Sequence, residues 1–510
     1  MTVTLRGASL DEEQVVAVAR GGEQVTLSAA ARAKMEQSRA RVQRAARSRE
    51  PVYGVSTGFG ALAGTRVAPL RQPELQLALI RSHAAGVGPP VDDEVVRATM
   101  LLRARTLSMG FSGVRPVVAE VLVAVLNARI TPVVPRYGSV GCSGDLAPLA
   151  HIALALVGEG EVVNRDGVRQ PAAPALRAAK IKPLKLETKE GLSLINGTDG
   201  MLGMLALACN DAELYFRVAD ITAAMSAEAL LGTDRPFQPH LHQIRPHAGQ
   251  VASAANLARL LRGSGIVASH RHSVHAVQDS YSVRCSPQVA GAARDTLDFA
   301  RRTAAVELAS AIDNPVVLEN GEVESNGNFH GEPLAFAADF LAIAAAEVGA
   351  IAERRVDRLL DPHRSEGLPP FLAEEPGVNS GLMVAQYTAA ALVAENRRLA
   401  APASVDSVPT SGMQEDHVSM GWGAALKLRT VLENLTNILA VELVAAARAL
   451  DLRAPLKSAP ATAAVRELVR EHVPGVGPDR VVSPELAAAA NLIRTGAVVS
   501  AAQAVTGPLK

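Results

Sequence analysis

The heaviest constraint on this 510-residue chain lies in its second half, in long stretches of Ala, Leu and Val that no turn signal interrupts. Residues 201–231, 288–312, 334–360, 381–399 and 424–450 each carry apolar side chains at helical spacing. Leu334, Leu341 and Val348 fall seven apart, as do Ala337, Ala344 and Ile351. That repeat places them along one seam of a helix. At about 1.5 Å per residue the longest stretch spans roughly 40 Å, far beyond an average helix. Small seam residues let helices approach closely. Aromatic residues make up only 3% of the chain, which favours packed helices over a β-sandwich. The expected fold is therefore mainly α. A long-helix bundle with irregular insertions occupies residues 201–510, and a smaller mixed domain occupies residues 1–200.

Composition narrows the function. Lys+Arg and Asp+Glu are equal at 51 each, so no net field draws nucleic acid or an anionic membrane. Cys142, Cys209 and Cys285 are too few for a disulfide framework, and a reducing cytoplasm is the expected location. Charge and Gly interrupt the first residues before any apolar core, so no signal peptide is expected. No run of 18 uncharged apolar residues occurs, so no transmembrane helix is expected either.

The first 200 residues read as shorter elements. Ser9-Leu10-Asp11-Glu12 has the form of a capping box, opening a helix through about Ala19. Residues 28–49 read as a charged, solvated helix. Residues 74–82, 95–109 and 117–127 read as further helices, and 131–136 as an extended approach to a glycine-rich stretch. Asp166-Gly167, between Val163 and Val168, signals a hairpin.

The glycine-rich stretch is Gly138-Ser139-Val140-Gly141-Cys142-Ser143-Gly144-Asp145-Leu146-Ala147-Pro148-Leu149-Ala150-His151. As local structure this is a tight turn feeding a helix, with Ser143 or Asp145 as cap and Pro148 in the first turn. It also permits a reaction. If the backbone bends hard enough, the amide nitrogen of Gly144 can attack the carbonyl carbon of Cys142, and only Gly leaves that nitrogen uncrowded. Loss of water from the ring and from Ser143 then leaves a methylidene group on an imidazolone, an electrophile made from the chain itself.

Gly-Ser-Val-Gly followed by Ser-Gly-Asp-Leu-Ala-Pro-Leu-Ala-His resembles the signature of the aromatic amino-acid ammonia-lyases. That family carries the self-made prosthetic group MIO (4-methylidene-imidazol-5-one). Cys142 stands where the family usually has Ala, but that residue gives only its backbone to the ring. Further motifs resemble the family in the same order: the glycine-rich loop around Tyr53; Asn196-Gly197-Thr198; Gln278-Asp279-Ser280-Tyr281-Ser282-Val283-Arg284; Asn326-Gly327-Asn328-Phe329-His330-Gly331; and Gln414-Glu415-Asp416-His417-Val418-Ser419. Each alone is a polar loop; together they are specific. Gly412-Met413 departs from the family's usual spacing before Gln414, which bears on local packing.

The resemblance implies a fumarase/aspartase-like helical architecture, four chains with shared active sites, and no external cofactor or metal. It implies a ring from Cys142, Ser143 and Gly144, with Asp145 and Gln414 in support. The ring takes the substrate amine while a tyrosine removes the β-proton. That tyrosine is Tyr53, with Tyr281 as helper or rival. A phenol with a pKa near ~10 is a poor base at neutral pH, so Arg284 and backbone amides are expected to favour its phenolate. Arg284 is expected to hold the α-carboxylate, Asn196 and Gln278 to orient the substrate, and Phe329 to wall the pocket. Family members acting on phenylalanine or tyrosine typically have Phe-Leu or His-Leu at Ser82-His83 and Gln at Glu415. Here His83 and Glu415 imply L-histidine as substrate, with trans-urocanate and ammonia as products. The alternatives are a tyrosine or phenylalanine ammonia-lyase, an MIO aminomutase, or an inactive scaffold paralogue. A ring-free fumarase-like lyase would carry Gly-Ser-Ser-x-Met-Pro, and the chain has none.

Overall fold

A computed structural model describes residues 2–47, 51–273 and 277–510. The chain is mainly helical, and it divides into two compact units. The first unit holds residues 1–207 together with 300–339 and 402–426; the second holds 208–299, 340–401 and 427–510. Two segments that the division at residue 200 places in the bundle thus belong with the N-terminal part. The long helices Asp199–Ala229, Ser286–Ala309, Glu332–Leu360 and Gly421–Asp451 all cross the unit boundary.

In the first unit, strand Thr2–Leu5 pairs in parallel with Gln24–Leu27. The cap between them differs from expectation. Asp11, not Ser9, caps the helix Glu12–Val16, and Gln14 closes the box by accepting from the Asp11 N–H at 3.1 Å. A π-turn over Ala17–Gly21 then carries the chain to a left-handed Gly22. Ser28 caps the helix Ala29–Ala46; the last residues of the expected helix, Ser48 and Arg49, lie outside the described residues. The expected hairpin pairs Glu161–Val163 with Arg169–Pro171, and Thr131–Pro132 adds a third strand.

The helix Asp93–Ser108 lies at the centre of this unit and is buried from Val95 onward. It contains three buried arginines, and each spends its N–H groups on backbone carbonyls. Arg97 donates to Val18 and Ala19; Arg103 to Asn196 and Ile312, both at 2.8 Å; Arg105 to Ser310 and Glu307. A guanidinium that satisfies several orphan carbonyls offsets part of its own burial cost and fixes where the neighbouring segments end. One of those segments, around residue 196, borders the candidate active site.

The second unit is built on the long helices, with Pro460–Arg470, Ser483–Arg494 and Ala497–Thr506 after them. Its core contains one fully satisfied ion pair. Arg355 donates to both oxygens of Glu442 at 2.5 and 2.9 Å, and Thr222 and Ser226 donate to the same carboxylate at 2.7 and 2.8 Å. Glu332–Leu360 and Gly421–Asp451 are long and apolar enough to span a membrane, although each carries charge. Of those apolar stretches 56% and 78% are buried inside the protein. The buried pair dictates a contrast. Glu442→Ala strands a buried guanidinium, an effect worth about 3–5 kcal/mol; Glu395→Ala removes only the exposed partner of Arg398, where solvent screens the pair. Thermal denaturation should show a large drop in midpoint for the first variant and almost none for the second.

Candidate active site

The turn over residues 138–145 is strained. Gly141, Ser143 and Gly144 have φ of 75°, 42° and 78°. Ser143 is the informative one, because a positive φ at a residue with a Cβ costs of order 1–3 kcal/mol and persists only where surroundings impose it. The surroundings are on hand. The Asp145 N–H donates to the Gly197 carbonyl at 2.8 Å and the Met420 N–H to the Val140 carbonyl at 2.9 Å. The Trp422 indole N–H donates to the Arg136 carbonyl at 2.9 Å. Gly144 is pressed so close to Gly197 that a Cβ there would lie 2.0 Å from the Gly197 oxygen. Gly197 is hemmed in turn: its own Cβ would lie 2.3 Å from the Arg103 guanidinium.

Asp145 sits at the start of the helix Leu146–Leu156 but makes no side-chain cap there. Its carboxylate instead accepts from the Met201 N–H at 2.9 Å, in the first turn of Asp199–Ala229. One residue thus ties the strained turn to the start of the long helix. Ser139 Oγ donates to the other oxygen at 3.4 Å. The carboxyl is fully buried, and burial, with nearby Asp199 adding to it, pushes its pKa up to about 7 despite those donors.

A cavity of about 540 Å³ opens beside the turn, within the first unit, and Tyr53, His83, Ser143, Asn196 and Glu415 all line it. Glu415 accepts from Ser143 Oγ at 3.4 Å and from Thr410 Oγ at 2.6 Å. It is presented by an unusual turn in which Ser411, Gly412 and Met413 all have positive φ, of 51°, 61° and 70°. His83, the last residue of the helix Gln72–His83, meets the Ser82 hydroxyl at 3.1 Å. Burial lowers its pKa, so the imidazole is neutral near pH 7. Asn196 donates to the Asn314 carbonyl at 3.1 Å, while its side-chain oxygen is buried without a partner. Cys142 has its thiol pushed up to about 12, by burial first and Glu415 second.

Tyr53 departs from expectation. Burial raises its pKa and Glu415 adds to the rise; only the Gly60 N–H, 3.4 Å from the phenol oxygen, works the other way. The cation expected to oppose this, Arg284, belongs to the second unit with Gln278 and Tyr281. There Gln278 and Tyr281 are exposed, and the Arg284 guanidinium lies 4.7 Å above the Tyr281 ring. In the first unit Phe329 is half-buried in a turn and Gln414 is exposed, neither lining the cavity.

Sequence reasoning missed Arg103, Asp199, Thr410 and the bracing role of Gly197. Gly197 left a trace, a glycine inside an Asn-Gly-Thr motif. Arg103 left none, because an arginine within a helix ordinarily reads as a surface residue.

A family model for aromatic amino acid lyases matches residues 10–471. The chain belongs to the aromatic amino acid lyase family. It is 58% identical to the histidine ammonia-lyase of Streptomyces avermitilis over 509 residues, covering 100% of this chain and 99% of that one. Among solved structures, a tyrosine aminomutase from Streptomyces globisporus matches with a TM-score of 0.95 at 42% identity, covering 100% of both chains. The histidine ammonia-lyase of Trypanosoma cruzi matches with a TM-score of 0.91 at 39% identity, covering 99% of this chain and 96% of that one. The family is in general MIO-dependent. The residues here fit that group: a left-handed Ser143, a Gly144 with no room for a Cβ, and an unpartnered oxygen on Asn196, which lines the same cavity.

The Asp145 carboxyl yields a test with a definite sign. Its folded pKa lies above the unfolded value of ~3.9, so its contribution to stability is fully present below pH ~4 and is lost as pH rises toward 7. Asp145→Asn removes this titration. The stability of the parent relative to Asp145→Asn should fall between pH ~4 and ~7 and flatten above, as read from denaturant midpoints across that range. A difference independent of pH would contradict the raised carboxyl pKa.

Proposed function

We propose that this lyase eliminates ammonia from L-histidine, without oxidation, to give trans-urocanate on an MIO group formed from Cys142, Ser143 and Gly144. The observation that carries the substrate assignment is the carboxylate of Glu415, set in the cavity beside Ser143 with a neutral His83 lining the same space. An imidazole buried without polar partners would leave its ring nitrogens unsatisfied. Glu415 accepts from one ring N–H, and His83 meets the other side. A phenyl ring would press against the same carboxylate, desolvating it and offering it no partner.

The MIO ring, when formed, supplies the electrophile that makes the substrate amine a leaving group. The protein's own groups do the rest. Tyr53 takes the β-proton at its phenol oxygen, which the Gly60 N–H orients. Asn196 offers its free side-chain oxygen to the substrate. Arg284 binds the α-carboxylate, Tyr281 assists at the proton transfer, Gln278 orients the substrate and Phe329 closes the wall against water. Asp145 and Gln414 support the turn and the loop. We assign Gln278, Tyr281, Arg284 and Phe329 to neighbouring chains of a homotetramer. The exposed Phe299, Phe340 and Ile343, which line an apolar cavity of about 670 Å³ in the second unit, support such an assembly, since closed symmetry is the common way to cover apolar helix faces.

The aminomutase among the structural relatives marks the second reading, which Glu415 argues against by its charge. The decisive measurement is kcat/KM for histidine, tyrosine and phenylalanine. A site built for hydrogen bonds rejects an analogue lacking them by about 10⁴-fold or more. Glu415→Gln should cut histidine turnover severely, and His83→Leu should weaken selection against a phenyl ring. A parent enzyme that prefers tyrosine or phenylalanine would sink the assignment.

Formation of the ring and sharing of the site are tested separately. Intact-mass measurement should show the loss of two waters from the parent chain and none from Ser143→Ala, which should be nearly inactive. Reassembled mixtures of Ser143→Ala and Arg284→Ala chains should regain activity that neither has alone. A full-mass chain that is nonetheless active, or a fully active monomer in sedimentation, would overturn these two points.

A further inference from the structure

Outside the cavity, the first unit brings together three side chains that the proposed reaction does not use. His330 ends the Asn-Gly-Asn-Phe-His segment, Glu332 opens the helix Glu332–Leu360, and His417 lies in the loop that carries Glu415. One candidate ligand atom from each lies within 4.8 Å of the others, and among the described residues no other such group of three occurs.

The geometry points to a binding site for a zinc-like divalent transition-metal ion, held by Nε2 of His330 and Nδ1 of His417 and backed by Glu332. These two nitrogens lie 3.2 Å apart, with ring centroids 5.3 Å apart. Two imidazole nitrogens about 2.0–2.1 Å from one ion at a tetrahedral angle are separated by roughly 3.3–3.4 Å. The pair therefore already stands close to the spacing that a shared ion requires. Without an ion it makes one hydrogen bond, and each ring gives the other a single partner.

Glu332 supplies the independent observation. Its Oε2 is shielded from solvent and has no hydrogen-bond partner. It faces Nδ1 of His330 at 3.8 Å, the ring nitrogen turned away from His417. Closing that gap by under 1 Å would let the carboxylate accept from the far nitrogen and hold the tautomer that leaves Nε2 bare, the usual outer arrangement of a metal-bound histidine. Imidazole ligands select zinc, copper, nickel or iron rather than calcium or magnesium. Two protein nitrogens leave coordination positions to water, so the ion is exchangeable. Its place also has a consequence, because it would link the turn bearing Phe329 to the loop bearing Glu415.

The test uses the full-length assembled protein after chelator treatment and gel filtration. Calorimetric titration with Zn²⁺ should show one ion per chain. His417→Ala and His330→Ala should abolish that isotherm, and Glu332→Gln should weaken it by about 10–100-fold. Co²⁺ in place of Zn²⁺ should give visible absorption bands of a nitrogen- and oxygen-ligated ion, lost in the histidine variants. Circular dichroism checks that each variant is folded, and the conservative Glu332→Gln serves if a histidine variant is not. Zn²⁺ binding that is absent from the parent, unchanged in folded variants, or marked by cobalt–thiolate charge transfer would overturn the site.

Discussion

The structure turns on where one carboxylate goes. Asp145 stands where it could cap its own helix, yet it reaches to the Met201 N–H of another. That choice ties the turn of residues 138–145 to the start of a 31-residue helix. A helix of that length is a rigid rod, so whatever its first turn holds is held firmly. The Asp145 backbone N–H adds a second tie, to Gly197. Between these ties Ser143 is forced to positive φ. The chain thus lends the stability of a large buried helix to a few residues that would otherwise relax, as strained functional turns require.

The same logic explains the bracing behind it. Gly144 lies against Gly197, and Gly197 against Arg103. Arg103 also holds the Asn196 and Ile312 carbonyls and lies 3.2 Å from Asp199. Two separate stretches of sequence, residues 196–199 and the segment around Ile312, converge on the guanidinium of a residue that is 1% exposed. A lysine could not replace it. It has no planar fork with which to reach several carbonyls and a carboxylate together.

Much of this was legible in the sequence, and the unread part has a common cause. The long helices were plain because their period and small residues repeat over many turns. The hairpin at Asp166-Gly167 was plain because its turn chemistry is local. Tyr53, His83, Ser143, Asn196 and Glu415 were named from motifs, and the fold gathers all five around one cavity. Arg103, Asp199 and Thr410 were not legible, since each acts through a partner distant in sequence or through a backbone carbonyl, and no local pattern records such a partner. The capping box was misplaced by two residues because Ser9 and Asp11 are both good caps. Gln14 decided for Asp11 by reaching back to its N–H. The assignment of 300–339 and 402–426 to the first unit was hidden for a similar reason. Loops between long helices look like insertions until the elements they return to are known.

Glu415, to which we assign substrate selection, sits on a loop that is not loose. Three consecutive residues before Gln414 have positive φ, a conformation that L-residues other than glycine rarely adopt. The loop keeps it because Thr410 closes it from the other side. The Thr410 hydroxyl donates to the Glu415 carboxylate at 2.6 Å, and the backbones of the same two residues pair across the turn. The carboxylate's own charge therefore helps close the loop that aims it. A neutral amide at this position would make a weaker bond to Thr410 as well as a weaker one to an imidazole. Charge at residue 415 thus acts on loop geometry and, in the proposed reaction, on substrate choice as well. One carboxylate closes the loop and, in the proposed reaction, pairs with the imidazole that the loop presents it to.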